Sequence, residues 1–342
     1  MSDAGDLLEL LHGAAGRWQS VQTTVRSWRD LEVAERAHRR WQEEMRHTGR
    51  SVSVMYGFAG DGERPRELEH TARLWVAKPD GWREESEDHV VVGRGGRWWS
   101  WSPYNGFVSN EADPEVGHGD PVRNHAVHLD PAGLIPLLSF EEIAHAGEVV
   151  RVRARPRAGE HFGPGLPPGA DSHLLLVDAG RGVVLRCESS LEGALFGVSE
   201  LVEPAWDVEI PDERFVLEPP PGEVARSPRE LHPEVTLEEA AARAPFAVFA
   251  VTELPEGEWR LRIHYNEAVR DRPAEVHLLY HRADGRGSLV LAERAAGTAS
   301  RLGHGERQAR FEVERDGTSI SFSSETLDEP RLAELAGRLE RV

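Results

Sequence analysis

Cysteine is almost absent from this chain: Cys187 is the only one among 342 residues, which excludes an internal disulfide framework. Lysine is equally scarce, with Lys78 alone, so arginine carries nearly all the positive charge. No Lys/Arg-rich run occurs and the formal net charge is −19, a surface that repels phosphate backbones and argues against a nucleic-acid partner. Long hydrophobic runs are missing as well. The opening stretch MSDAGDLLELLHGAAGRW has acidic residues where an export signal needs basic ones, and Glu9 and His12 interrupt its apolar face. It therefore reads as neither signal peptide nor membrane span, and a cytoplasmic protein that is not integral to a membrane is expected. The catalytic signatures H-E-x-x-H, C-x-x-C and G-x-S-x-G are absent, and no cofactor motif is recognisable.

What is present is mostly strand. Leu7, Leu8, Leu11 and Ala15 mark one face of a short amphipathic helix. SVQTTVRSW then places Val21, Thr23 and Val25 on one side of a strand, and Leu31, Ala34, His38, Trp41 and Met45 fall at helical spacing. Strand-like runs follow: SVSVMYGF, LEHTARLWVAKP, GWREESED, HVVVG, RWWSWSP and GFVSN, divided by turns such as KPDG and GRGG. Residues 113–128 read as loop, and DPAGLIPLLSF as a short helical piece. EVVRVRARP, DSHLLLVDAG, GVVLRCESSLEG and ALFGVSELVEPAWDVEI continue the strands, with Cys187 as a small buried residue. Proline, glycine and charge then replace periodicity. The domain boundaries expected are 1–222, a linker over 223–240, and a smaller unit over 241–342. The last contains two hairpins, one turning at Asp316-Gly317, and a closing helix built on Leu332, Leu335, Ala336 and Leu339.

Four motifs stand in order within the first 222 residues: RLWVAKPDGWREE with Lys78, Pro79 and Arg83; GGRWWSWSP with Gly95, Trp99, Trp101 and Pro103; LLLVDAGRGVVLRCES; and IPDERFVLEPPPG. With the helix–strand–helix start, this layout resembles the LolA-like lipoprotein carriers and RseB-type sensors, and the tail resembles a small α+β domain found behind such domains. The resemblance implies an α+β fold. Its large domain would be a strongly curved antiparallel half-barrel with helices over the concave face, enclosing an apolar cavity. It further implies a non-enzymatic binding protein whose partner is a hydrophobic small molecule or lipid, or alternatively a protein partner bound by a regulatory module.

The tryptophan run is the candidate site. In a strand Trp99 and Trp101 share one face and Trp98 points to the other. If the shared face is concave, Trp99, Trp101, Trp75, Trp41 and Met45 would line the ligand cavity; plain packing is the competing reading. No metal site is expected, because His118, Asp120, His125, His128 and Asp130 lack ligand spacing, and the carboxylates Glu84, Glu85, Glu87 and Asp88 read as a solvated face.

Overall fold

The computed structural model describes residues 3–48, 65–112, 114–115, 125–157, 165–231, 233–268, 273–283, 287–298, 309–324 and 326–342. The SVSVMYGF run, His118 and Asp120 lie outside these residues. Two compact units are formed, one within residues 3–227 and one within 228–342.

The first unit is an open antiparallel sheet of eleven strands, in the order β6-β5-β4-β3-β2-β1-β11-β10-β9-β8-β7. The strands are β1 (Ser20–Asp30), β2 (Glu67–Ala77), β3 (Gly81–Glu85), β4 (Val90–Arg94), β5 (Arg97–Ser102) and β6 (Gly106–Ser109) on one side of the seam. On the other are β7 (Leu138–Ala146), β8 (Val149–Pro156), β9 (Ser172–Asp178), β10 (Val184–Leu191) and β11 (Ala194–Trp206). Two meanders thus meet where β1 pairs with β11, Val25 opposite Leu201. Bulges at Gln22/Thr24, Phe140/Glu142 and Ser189/Ser190 break the ladder and increase its curl, which gives the half-barrel.

Alternation sorts the side chains onto two faces. On the concave face, Val21, Val25, Leu74, Val76 and Leu201 pack with Trp18 and Leu129, and Val150, Val152, Leu175, Val177 and Cys187 pack with Leu7 and Leu11. Helices α1 (Asp3–His12) and α3 (Ala126–Leu129), with a 3₁₀ turn at Pro131–Leu134, supply the covering residues. Helix α2 (Leu31–Thr48) covers the far end of this face, where Val33, Ala34 and Ala37 meet Leu191 and Phe196. Backbone contact is close there: a Cβ on Gly169 would lie 1.8 Å from the Ala37 carbonyl oxygen. Each fully buried Leu or Val side chain contributes about 1.5–3 kcal/mol over its exposed state, so this filled face is the main source of the unit's stability.

DPAGLIPLLSF does begin with a short helical piece, the 3₁₀ turn Pro131–Leu134, but its end is strand, and the loop expected over 113–128, of which 113 and 116–124 lie outside the described residues, gives way to helix from Ala126. The residues Val127, His128 and Leu129 are buried in α3, and Leu138–Ala146 is the edge strand β7.

The second unit has a five-stranded antiparallel sheet in the order β13-β14-β15-β17-β16: β13 (Trp259–Asn266), β14 (Glu275–Arg282), β15 (Ser288–Ala295), β16 (Ala309–Arg315) and β17 (Thr318–Ser324). A two-stranded sheet pairs β12 (Phe249–Val251) with β18 (Leu339–Arg341). Helix α4 (Leu237–Arg243) begins at Thr236, whose hydroxyl accepts from the Glu239 amide while the Glu239 carboxylate accepts from the Thr236 amide. It and α5 (Glu329–Ala336), capped by Asp328, pack with Val276, Leu278, Leu289, Leu291, Ile320 and Phe322 into one core. Residues 223–240 divide between the two units: Glu223 and Arg226 bond to the large sheet, while Ala240 belongs to the second core.

Candidate functional site

The three tryptophans of β5 do three different things. Trp98 is buried on the concave side. Trp99 and Trp101 occupy the opposite, convex face, because their cross-strand partners Val92 and Val90 lead through Arg83 and Glu85 to Trp75 and Arg73. Leu74 and Val76, the neighbours of Trp75 in β2, belong to the concave cluster, which fixes the assignment.

This convex face is crossed by the segment that follows β11. Phe215, in a 3₁₀ turn at Asp212–Phe215, packs against Trp75 and Val92, with Trp99, Ile210 and Leu217 at the margin. Arg83 ties the crossing down by donating to the carbonyls of Arg214 and Val216, both at 3.1 Å. The Arg214 guanidinium lies 4.8 Å from the Trp75 ring centroid and that of Arg73 5.5 Å, so Trp75, 4 % exposed, is enclosed between cations and Phe215. Further along, the Trp101 indole donates to the Glu223 carboxylate at 3.2 Å, and Arg226 pairs with the edge strand β6 through Ser109 N–H to Arg226 O (2.9 Å) and Arg226 N–H to Phe107 O (3.0 Å). The crossing segment is a strap.

The five residues expected around a cavity are thus distributed. Trp75 and Trp99 lie under the strap, and Trp101 lies beside it. Trp41 is on α2 over the other face, 1 % exposed, its ring 5.3 Å from that of His38. Met45 is also on α2, its side chain outside the described residues.

Beside Trp101, a groove of about 680 Å³ opens, lined by Glu69, His70, Thr71, Ser86, Glu87, Asp88, Trp101 and Pro103. Its cause is a mismatch of strand lengths. β2 pairs with β1 over Glu67–Ala77 but with β3 only over Arg73–Ala77, since β3 ends at Glu85 and turns away with Ser86 N–H donating to His89 O at 2.8 Å. Lys78 N–H to Gln19 O and Leu31 N–H to Arg66 O, both 2.9 Å, set the phase of the β1–β2 ladder. Even-numbered residues of β2 bond to β1 and odd-numbered ones point away. The amides and carbonyls of Glu69 and Thr71 therefore face the groove, and among the described residues no strand pairs with them. Sequence reasoning missed Glu69 and Thr71 and placed Glu87 and Asp88 on a solvated face; the signal available was the unequal length of the runs LEHTARLWVAKP and GWREESED.

The buried His128, His173 and Cys187 are held by internal hydrogen bonds. His128 Nδ1–H donates to the Val184 carbonyl at 2.6 Å, and the Ser199 hydroxyl donates to Nε2 at 2.7 Å. Burial pushes its pKa down to about 4, so the ring is neutral and tautomer-locked. Burial likewise lowers His173, bonded to Ser189, to about 4 and raises the Cys187 thiol to about 12. His125 pairs with Glu84 at 3.1 Å; burial works to raise that carboxyl, but the His125 hydrogen bond and charge prevail and hold it below its usual range. Among the described residues no His, Cys, Asp or Glu group could hold a metal ion, and no helix is long and apolar enough to cross a membrane.

No protein-family model matches the chain, and no curated protein matches it. Solved structures do. MucB is similar over 100 % of this chain and 99 % of its own at 13 % identity and a TM-score of 0.36. A conserved protein of Thermus thermophilus matches 66 % of this chain and 100 % of its own at 14 % identity and a TM-score of 0.35. A LolA superfamily protein from Nitrosomonas europaea matches 64 % of this chain and 99 % of its own at 9 % identity and a TM-score of 0.25. These are likenesses of fold alone.

Proposed function

We propose that this protein is a non-enzymatic binding module whose ligand is another protein. The observation that carries the reading is the chemistry of the open groove: three carboxylates, a strand edge and one indole, where an acyl chain needs mostly apolar walls. The concave face, which the family resemblance would give to a hydrophobic ligand, is occupied by the protein's own Trp18, Leu129, Leu7 and Leu11, each 3 % exposed or less. A non-enzymatic role is supported by the enclosure of the nucleophile and base candidates, Cys187 and His128 with Ser199, inside that filled layer. The net charge of −19 favours basic protein surfaces over nucleic acid.

The test is to purify the untagged protein from its source, cross-link it in the lysate, and run mass spectrometry on an organic-solvent extract and on the cross-linked peptides. The expected result is a stoichiometric protein partner and no stoichiometric apolar molecule. A lipid or other apolar compound present at one equivalent would replace this reading with that of a carrier.

A further inference from the structure

We infer that the open edge of β2 takes an extended, arginine-bearing peptide segment as an added strand, which names the partner chemistry of the protein-binding reading and rests on it. Three independent features of the groove converge on this occupant. The first is the strand edge itself: Glu69 and Thr71 turn their amides and carbonyls outward at a stretch that β3 is too short to reach and that no strand among the described residues pairs, and such an edge is a template for another chain. The second is charge: Glu69, Glu87 and Asp88 surround the opening, all exposed, so a peptide cation reaching them keeps its hydration and gains their field. The third is the Trp101 indole on the groove wall, held in place by its bond to Glu223, which offers an aromatic surface to a guanidinium.

Strand geometry sets the pattern of the guest. Side chains of an added strand alternate faces, so every second residue falls on the convex side, toward Trp101 and the 86–88 turn. The fitting sequence alternates arginine with β-branched residues. Free arginine or a compact basic protein surface satisfies the charge but not the edge.

The experiment uses the full chain and the probe peptide Arg-Val-Arg-Val-Arg-Val-Arg, with Glu-Val-Glu-Val-Glu-Val-Glu as its counterpart. Titration calorimetry should give the arginine peptide an affinity at least about tenfold higher. Hydrogen exchange should show the Glu69 and Thr71 amides gaining protection on binding. Thr71→Pro removes the outward N–H while leaving the β1 ladder intact, and should cost about tenfold or more in affinity; Thr71→Val, which keeps the N–H, should bind normally. Glu87→Gln/Asp88→Asn should weaken binding and its salt dependence together. Equal affinity for the two peptides, equal affinity of Thr71→Pro and Thr71→Val, or protection of Glu69 and Thr71 already present in the free protein would overturn the inference. A cross-linked partner seated away from residues 69–103, with no peptide binding, would overturn it while leaving the protein-binding reading intact. Peptide binding as described, alongside a stoichiometric extracted lipid, would do the reverse.

Discussion

The ammonium of Lys78, the chain's only lysine, lies 3.4 Å from the centroid of the Trp18 ring. It donates to the Trp18 carbonyl at 2.8 Å and to that of Ala15, in the middle of the 3₁₀ turn Ala14–Gly16 that follows α1. One side chain thus fastens the N-terminal helix region to the end of β2. Burial lowers its pKa, opposed by the charges of Asp130 and Asp207. Lys78→Met removes both carbonyl partners and the cation–π contact while keeping the stem, and should lower the unfolding free energy by about 1–3 kcal/mol, read as a lower urea midpoint at unchanged slope.

The two units should respond to pH in opposite directions. Glu293, fully buried, accepts from the Phe249 amide at 3.1 Å and holds β12, and burial raises its pKa from 4.5 to about 8. Its folded pKa exceeds its unfolded one, so its contribution is complete below about 4.5 and is lost as pH climbs to about 8, on the order of a few kcal/mol. His128 and His173, depressed from 6.5 to about 4, act the other way: their contribution is complete above 6.5 and is lost as pH falls toward 4. Hydrogen exchange of Leu291 and Phe322 should therefore accelerate with rising pH beyond the intrinsic rate, and that of Leu175 and Val184 with falling pH. Glu293→Gln should flatten only the first.

Gly93 stands opposite Trp82 across β3–β4, and a Cβ there would lie 2.1 Å from the indole. Gly93→Ala should cost about 1–3 kcal/mol. In a Trp82→Leu background the same change should cost much less, and the double-mutant cycle measures the coupling.

Phe215 anchors the strap between Trp75 and Val92. Phe215→Ala should destabilise by about 3–5 kcal/mol and shift tryptophan emission to the red as Trp75 and Trp99 become wet. Unchanged emission would mean that the Arg83, Glu223 and Arg226 contacts hold the strap without Phe215.

Cys187, its thiol raised to about 12 by burial, should resist alkylation under native conditions and react at the rate of global opening. Its labelling then reports unfolding of the large unit without a probe.

Much of the architecture was legible in the sequence because period-two alternation is strong where one face is buried, as in β8 and β9, whose residues alternate between buried and less buried along their whole length. β7 was missed because the bulge at Phe140/Glu142 puts Glu141 and Glu142 side by side and destroys the alternation. β12 and β18, three residues each, are too short for any period to register. The tryptophan spacing correctly separated Trp98 from Trp99 and Trp101, but which face is concave depends on the distant helices that cover it. The groove left only one trace in the sequence, the unequal length of two runs: it is made by where β3 stops relative to β2, a difference that neither strand carries by itself.

The pairing of β1 with β11 joins residues 20–30 to residues 194–206 at the middle of the sheet. A ribosome working at about 5–20 residues per second takes about ten to forty seconds between delivering one partner and the other. During that interval β1 can pair with β2 alone, and its other edge waits for a strand not yet made. The seam is consequently the step at which nascent chains are most exposed to mispairing with one another, and the demand on chaperones should be set by translation speed across the second meander.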